Sequence, residues 1–175
     1  MFNLDIPGWM SEQEMTVISE IAAQVPENGV IVELGSYKGK SALVWASFCH
    51  PSVKVYCIDL FASYTTDEPD FFEEFRENTK HLPNIIQIRG LCPILLDYPG
   101  DPIDVFFNDA VHYNPMDWNN IQYFKKYIKP GGLLVAHDYI PETYPDVVEN
   151  ASRLEAETNN QITQYSRTCL YSIRM

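Results

Sequence analysis

The chain has 175 residues, 46% of them apolar and 21% charged, the profile of one ordinary globular domain long enough to bury a substantial core. Acids outnumber Lys and Arg by 24 to 12, a formal net charge of −12, which excludes the basic face a phosphate backbone needs and so argues against nucleic-acid binding. No apolar run approaches the roughly 20 residues of a bilayer span, and no basic stretch leads into an apolar one at the amino terminus, so the expectation is a cytoplasmic protein without a membrane partner.

Ser11 followed by Glu14 forms a capping box, and Met15, Ile18, Ile21, Ala22 and Val25 recur at helical spacing, predicting a first helix over 11–24. That helix, expected to be exposed, offers a surface for homo-oligomerisation. Pro26 stops it, and Asn28-Gly29 turns the chain into a strand at Val30–Leu34. A helix over 39–48 follows, then a strand over 53–58 ending at Asp59. A polar loop, SYTTDEPD, leads to a helix whose first turn suits Pro69 and whose apolar face holds Phe71, Phe72, Phe75 and Leu82.

Strands over 85–89 and 103–107 come next, the latter ending in Asn108-Asp109. Asn114-Pro115 reads as a cap and a first-turn proline opening a helix to 128. KPGG reads as a turn before a strand over 133–136 that ends in His137-Asp138. A helix over 145–157 and a closing hairpin complete the chain. Strand and helix alternate throughout, so the fold class is α/β: a Rossmann-like, doubly wound, mostly parallel sheet with helices on both faces and an antiparallel strand at the carboxyl end. The four cysteines are far apart without a C-x-x-C pair, and read as reduced thiols rather than zinc ligands or disulfides.

The acids that interrupt the apolar runs all fall at carboxyl ends of predicted strands: Glu33, Asp59, Asp109 and Asp138. In an open α/β sheet that edge binds the ligand. Carboxylates gathered there favour a ligand rich in hydroxyl or amino donors, or a metal ion, over a triphosphate. The stretch GSYKGKS looks like a phosphate-binding loop, but Gly35 and Gly39 enclose only three residues where that motif needs four. The dinucleotide fingerprint fails as well, because Tyr37 stands where its second glycine belongs.

E-L-G-S-Y-K-G-K-S, followed by I-D-L-F, then F-F-N-D-A-V-H-Y and I-K-P-G-G-L-L-V-A-H-D-Y, resembles the ordered motifs of class I S-adenosylmethionine-dependent methyltransferases over roughly residues 28–140. The last two pieces resemble the small-molecule O-methyltransferase branch that includes macrocin-type and catechol-type enzymes. The resemblance implies transfer of a methyl group from S-adenosyl-L-methionine to a hydroxyl of a small-molecule acceptor. Gly35 and Gly39 would let the backbone approach the methionine moiety, with Glu33 below and Ser36 and Ser41 lending hydroxyls. Asp59 would accept the two ribose hydroxyls, and Leu60 and Phe61 would flank the adenine. The family's acid after the third strand is missing from Arg89-Gly90-Leu91-Cys92-Pro93, which leaves adenine recognition to the backbone at Gly90 or to Cys92.

At the reacting end the resemblance implies a divalent cation, Mg²⁺ or a transition metal, on Asp109, His137 and Asp138. A cation-bound hydroxyl loses its proton more readily. His137 stands where catechol-type enzymes carry an acid, and an imidazole shifts preference toward transition metals. Asp109 and His112 are the candidate catalytic bases, with a structural role for His112 equally open. Trp9, Tyr113, Trp118 and Tyr139 are candidates to line the acceptor pocket, or to serve only in packing. The alternative functions are a cofactor-binding module without catalysis and, more distantly, a nicotinamide-dependent oxidoreductase.

Overall fold

A computed structural model describes residues 5–62 and 70–175. The polar loop and Pro69 therefore lie outside the described residues, apart from Asp70. Helices α1 (Glu12–Ala22), α2 (Lys40–Phe48), α3 (Phe72–Thr79), α4 (Met116–Lys125) and α5 (Pro145–Thr158) surround strands β1 (Val30–Leu34), β2 (Lys54–Asp59), β3 (Ile85–Arg89), β4 (Ile103–Asn108), β5 (Ile128–Ala136), β6 (Thr163–Gln164) and β7 (Tyr171–Arg174). The strands form one sheet in the order β3-β2-β1-β4-β5-β7-β6. The first five run parallel, β7 is antiparallel to β5, and β6 pairs antiparallel with β7.

Every residue of β1 is buried, because the strand is central and covered on both faces. One apolar layer packs Ile31, Val55 and Val105 under α1, α2 and α3, with Trp45 at its centre. The opposite layer packs Val32, Ile58 and Phe106 under α4 and α5. Strand order reverses between β1 and β4, so the chain leaves these neighbours toward opposite sides and opens a crevice at their carboxyl ends.

The capping box at α1 is reciprocal: Ser11 Oγ accepts from the Glu14 amide at 3.3 Å, and Glu14 Oε2 accepts from the Ser11 amide at 2.8 Å. The apolar stripe of α1, Met15, Ile18, Ile21 and Ala22, is buried in the core.

Three local readings change. Asn114 does not cap α4; its side chain pairs with Asn150 at 2.9 and 3.3 Å, and its amide donates to Asp146. The helix stops at Lys125 rather than reaching 128, because Ile128 enters the sheet opposite Ile103 and buries its side chain there. KPGG is not a free turn but an irregularity within β5, between the pairs Ile103–Ile128 and Val105–Leu133. It is held by Lys129 Nζ on Asp104 at 2.7 Å and by the Gly131 amide on the Met175 carbonyl.

Candidate active site

The carboxyl ends of β1, β2, β3, β4 and β5 open into a cavity of about 530 Å³, a size suited to a small-molecule ligand. The turn after β1, the ends of β2 and β3, and the segments after β4 and β5 form its walls, and Pro7, Gly8, Trp9 and Met10 close one side. Three non-glycine residues in these turns, Tyr37, Phe61 and Asp138, adopt the left-handed backbone conformation at φ 45°, 55° and 62°. Strained backbone of this kind gathers where a loop must aim groups at a ligand.

Asp59 explains two of them. Its Oδ1 accepts the Phe61 amide at 2.7 Å and its Oδ2 accepts the Tyr37 amide at 2.8 Å, so one carboxylate holds both left-handed turns. Burial raises its pKa, and these backbone donors work against the rise. Each oxygen keeps a lone pair for a ligand, and the residue lines the cavity.

Gly35 also lines the cavity, but its chemistry is packing: at φ 95° a Cβ would stand 2.0 Å from the Asp109 carbonyl oxygen. No side chain fits between the ends of β1 and β4 at this point. Gly39 is placed differently from Gly35. It caps α2 in the left-handed region and faces Thr79 and Phe75 of α3, away from the cavity wall.

Ser36, Ser41, Leu60, Gly90 and Cys92 line the cavity as anticipated, while Phe61 does not. The Phe61 ring is fully buried against Phe71, Phe72 and Phe75, so it supports the wall from behind. Burial pushes the Cys92 thiol up to about 12, which leaves it a neutral, apolar part of the surface. Glu33 lies beneath the wall, fully buried. No hydrogen bond of full geometry reaches either of its oxygens or Ser36 Oγ among the described residues, although the Ser36 and Ser41 hydroxyls lie near enough to stabilise its charge. Burial lifts Glu33 to about 7, with Asp109 and Asp59 adding to the rise and the Ser36 and Ser41 hydroxyls opposing it.

At the β4–β5 side Asp109, His112, His137 and Asp138 converge as the sequence indicated. His112 Nε2 lies 3.1 Å from Asp138 Oδ2, and its ring packs on Tyr144 at 4.7 Å between centroids. His137 is buried, with Nδ1 3.4 Å from Asp109 Oδ1 and 3.3 Å from Asp138 Oδ2. Burial alone would discharge this ring, but the surrounding carboxylates, Asp109 foremost, hold its pKa far above the ordinary histidine range. His137 in turn holds the Asp138 carboxyl below its usual range against the cost of burial. Asp109, His137 and Asp138 place donor atoms within 4.8 Å of one another, a set that fits a divalent cation.

Sequence reasoning missed the other side of the same imidazole. His137 Nε2 lies 3.5 Å from Glu14 Oε1 and 3.2 Å from Cys169 Sγ. Glu14 reads from the sequence only as half of a capping box, and Cys169 only as an isolated thiol. Their approach across 155 positions leaves no local signal. Of the aromatic candidates, Trp9 lines the cavity, is 82% exposed and packs on Tyr37. Tyr139 packs on Tyr171, Trp118 packs under Arg153, and Tyr113 is exposed outside the lining. Tyr144 was not anticipated and does line the cavity.

A doubly wound sheet of this strand order, with a carboxylate at the end of β2 and a ligand-sized cavity over the β1 turn, defines the Rossmann-like methyltransferase fold. Residues 32–139 match the family described as "Methyltransferase domain", and the chain belongs to that family, among the class I S-adenosylmethionine-dependent methyltransferases. Solved structures share the fold at low sequence identity. The O-methyltransferase NovP is 16% identical with a TM-score of 0.68, over 93% of this chain and 79% of its own. A precorrin-6y C5,15-methyltransferase from Geobacter metallireducens is 10% identical with a TM-score of 0.68, over 100% of this chain and 94% of its own. A Streptococcus mutans protein described as a methyltransferase, solved with S-adenosylhomocysteine, is 15% identical with a TM-score of 0.63, over 94% of this chain and 99% of its own. No curated protein matches the chain.

Proposed function

We propose that the protein transfers the methyl group of S-adenosylmethionine to a hydroxyl oxygen of a small molecule. The observation that carries this reading is the position of the proton-accepting groups. Asp59 stands on one side of β1 and Asp109, His112 and Asp138 on the other, around one cavity. The cofactor, when bound, supplies an activated methyl on a sulfonium for in-line displacement. Asp59 would hold the ribose hydroxyls, and Ser36 in the cavity lining would face the cationic methionine end, with Glu33 beneath the wall.

Near the acceptor, His112 and Asp109 are the groups able to take the hydroxyl proton, with Asp138 orienting His112 from 3.1 Å. Trp9 and Tyr144 would pack against the acceptor body. In a metal-assisted form of the same reaction, Asp109, His137 Nδ1 and Asp138 would hold a divalent cation that stabilises the developing oxyanion.

Calorimetry with S-adenosylmethionine on wild type and Asp59→Ala tests the cofactor half, and product mass across a panel of hydroxylated acceptors tests the rest. The wild type should bind, Asp59→Ala should lose most of that affinity, and His112→Ala should lower kcat by about 10²–10⁴-fold with cofactor binding intact. A wild type that does not bind the cofactor overturns the reading. Binding without turnover on any acceptor would favour a non-catalytic module instead. Unchanged activity after exhaustive chelation removes the metal-assisted form.

A further inference from the structure

The geometry points to a zinc-class metal site formed by Glu14 Oε1, His137 Nε2 and Cys169 Sγ, at the ring nitrogen of His137 that does not face Asp109 and Asp138. The donors are a carboxylate oxygen, an imidazole nitrogen and a sulfur, the mixed set that borderline-soft ions such as Zn²⁺ and Co²⁺ take. Bonds of about 2.3 Å to sulfur and about 2.0–2.1 Å to nitrogen or oxygen give tetrahedral donor–donor edges of roughly 3.3–3.6 Å. Here the edges are 2.9 Å from oxygen to sulfur, 3.2 Å from sulfur to nitrogen and 3.5 Å from nitrogen to oxygen. Ion entry requires the oxygen–sulfur edge to open by roughly 0.6 Å and the other two edges to shift by less.

The three ligands come from parts of the chain that other interactions already hold. The second oxygen of Glu14 is fixed by the Ser11 amide and hydroxyl, which leaves Oε1 to turn inward. His137 follows directly on β5, and its amide donates to the Asn108 carbonyl. Cys169 sits in the hairpin loop before β7, its own amide on Glu14 Oε1 at 3.0 Å and its carbonyl accepting from the Tyr139 amide.

The far side of the ring supplies an independent indication. A metal-bound histidine almost always donates its other N–H to a carboxylate, which fixes the tautomer and the ring orientation. His137 Nδ1 is buried, makes no hydrogen bond of good geometry, and faces Asp109 and Asp138 at 3.4 and 3.3 Å. An ion on Nε2 displaces the proton there and that of the Cys169 thiol, both released to solvent, and leaves the Nδ1 proton between the two carboxylates. The ion would tie the first turn of α1 and the closing hairpin to the acceptor end of the cavity. It also competes with a cation on Nδ1, since both would use the one ring.

The test is a cobalt(II) titration of the chelator-stripped, full-length protein, followed by absorption. One equivalent should give a thiolate-to-cobalt charge-transfer band in the near ultraviolet with visible bands of tetrahedral intensity, and Zn²⁺ should bleach both. Cys169→Ser, near-isosteric and checked for folding by circular dichroism, should abolish the band. Asp109→Asn should retain it at saturation while weakening affinity about 10–100-fold, as loss of an orienting carboxylate does. Zinc-edge absorption of the wild type gives a second readout that needs no variant: a sulfur neighbour at about 2.3 Å. A wild type with no charge-transfer band and no sulfur neighbour overturns the proposal, as does a band that survives Cys169→Ser. A cobalt spectrum of oxygen and nitrogen ligands alone would place the ion at Nδ1 and overturn it too.

Discussion

Glu33 is the residue whose environment departs furthest from what a carboxylate prefers. It faces the same apolar layer as Ile31, next to Cys57 on β2, and no hydrogen bond of full geometry reaches either oxygen among the described residues. With its pKa lifted to about 7, the folded protein holds a proton between pH 4.5 and 7 that the unfolded chain has already released. Unfolding therefore sheds a proton in this window, and rising pH favours the unfolded state, by about 3 kcal/mol in total from this group. Glu33→Gln carries the neutral form at every pH. Urea denaturation should find the variant and wild type alike near pH 4, below the unfolded value, and the variant more stable by up to that amount at pH 8. An equal difference at both values would show that Glu33 does not titrate as its burial dictates. The same residue shows how far sequence reading reaches at this scale: an acid in an apolar strand marks a site, but only coordinates show that it lies below the cavity wall.

Between elements, the carboxyl end of β4 is joined to α4 and α5 by a buried polar network built on Asp117. Its Oδ1 accepts from Asn108 Nδ2 at 2.7 Å and its Oδ2 from Asn150 Nδ2 at 2.8 Å, and Asn150 also donates to Asn114 at 2.9 Å. Asp117→Ala leaves two buried amide groups short of an acceptor, a loss of about 2–6 kcal/mol at about 1–3 kcal/mol each. A fall in denaturation midpoint of that size is the expected result, and a change under 1 kcal/mol, roughly the worth of an ordinary surface substitution, would remove the network from the fold's support. This network also explains why Asn114 misled as a helix cap: its side chain is committed to α5, 36 positions away. The strands and helices themselves follow from local periodicity and were legible. The irregularity at KPGG was not, because it depends on which residue of β4 each residue of β5 meets. Glu14 and Cys169 fall in the same class, since their partners are set by tertiary contact alone.

For the molecule as a whole, the net charge of −12 acts on the cofactor as much as on other partners. The cavity carries Asp59, Asp109 and Asp138 in its lining and Glu33 beneath it, within a chain already acidic overall. S-adenosylmethionine bears a sulfonium charge that its demethylated product lacks. The long-range field therefore attracts the substrate form and contributes little to holding the product form, a difference that favours exchange after turnover. Because that part of the attraction is screened, raising ionic strength from about 0.01 to about 0.15 M shortens the Debye length from roughly 30 to roughly 8 Å and should erode it selectively. Calorimetry at the two ionic strengths should find the Kd of S-adenosylmethionine rising several-fold while that of S-adenosylhomocysteine moves little. Equal salt dependence for both would locate discrimination in short contacts at the sulfur, inside the reach of Asp109 and Asp138, rather than in the field of the whole chain.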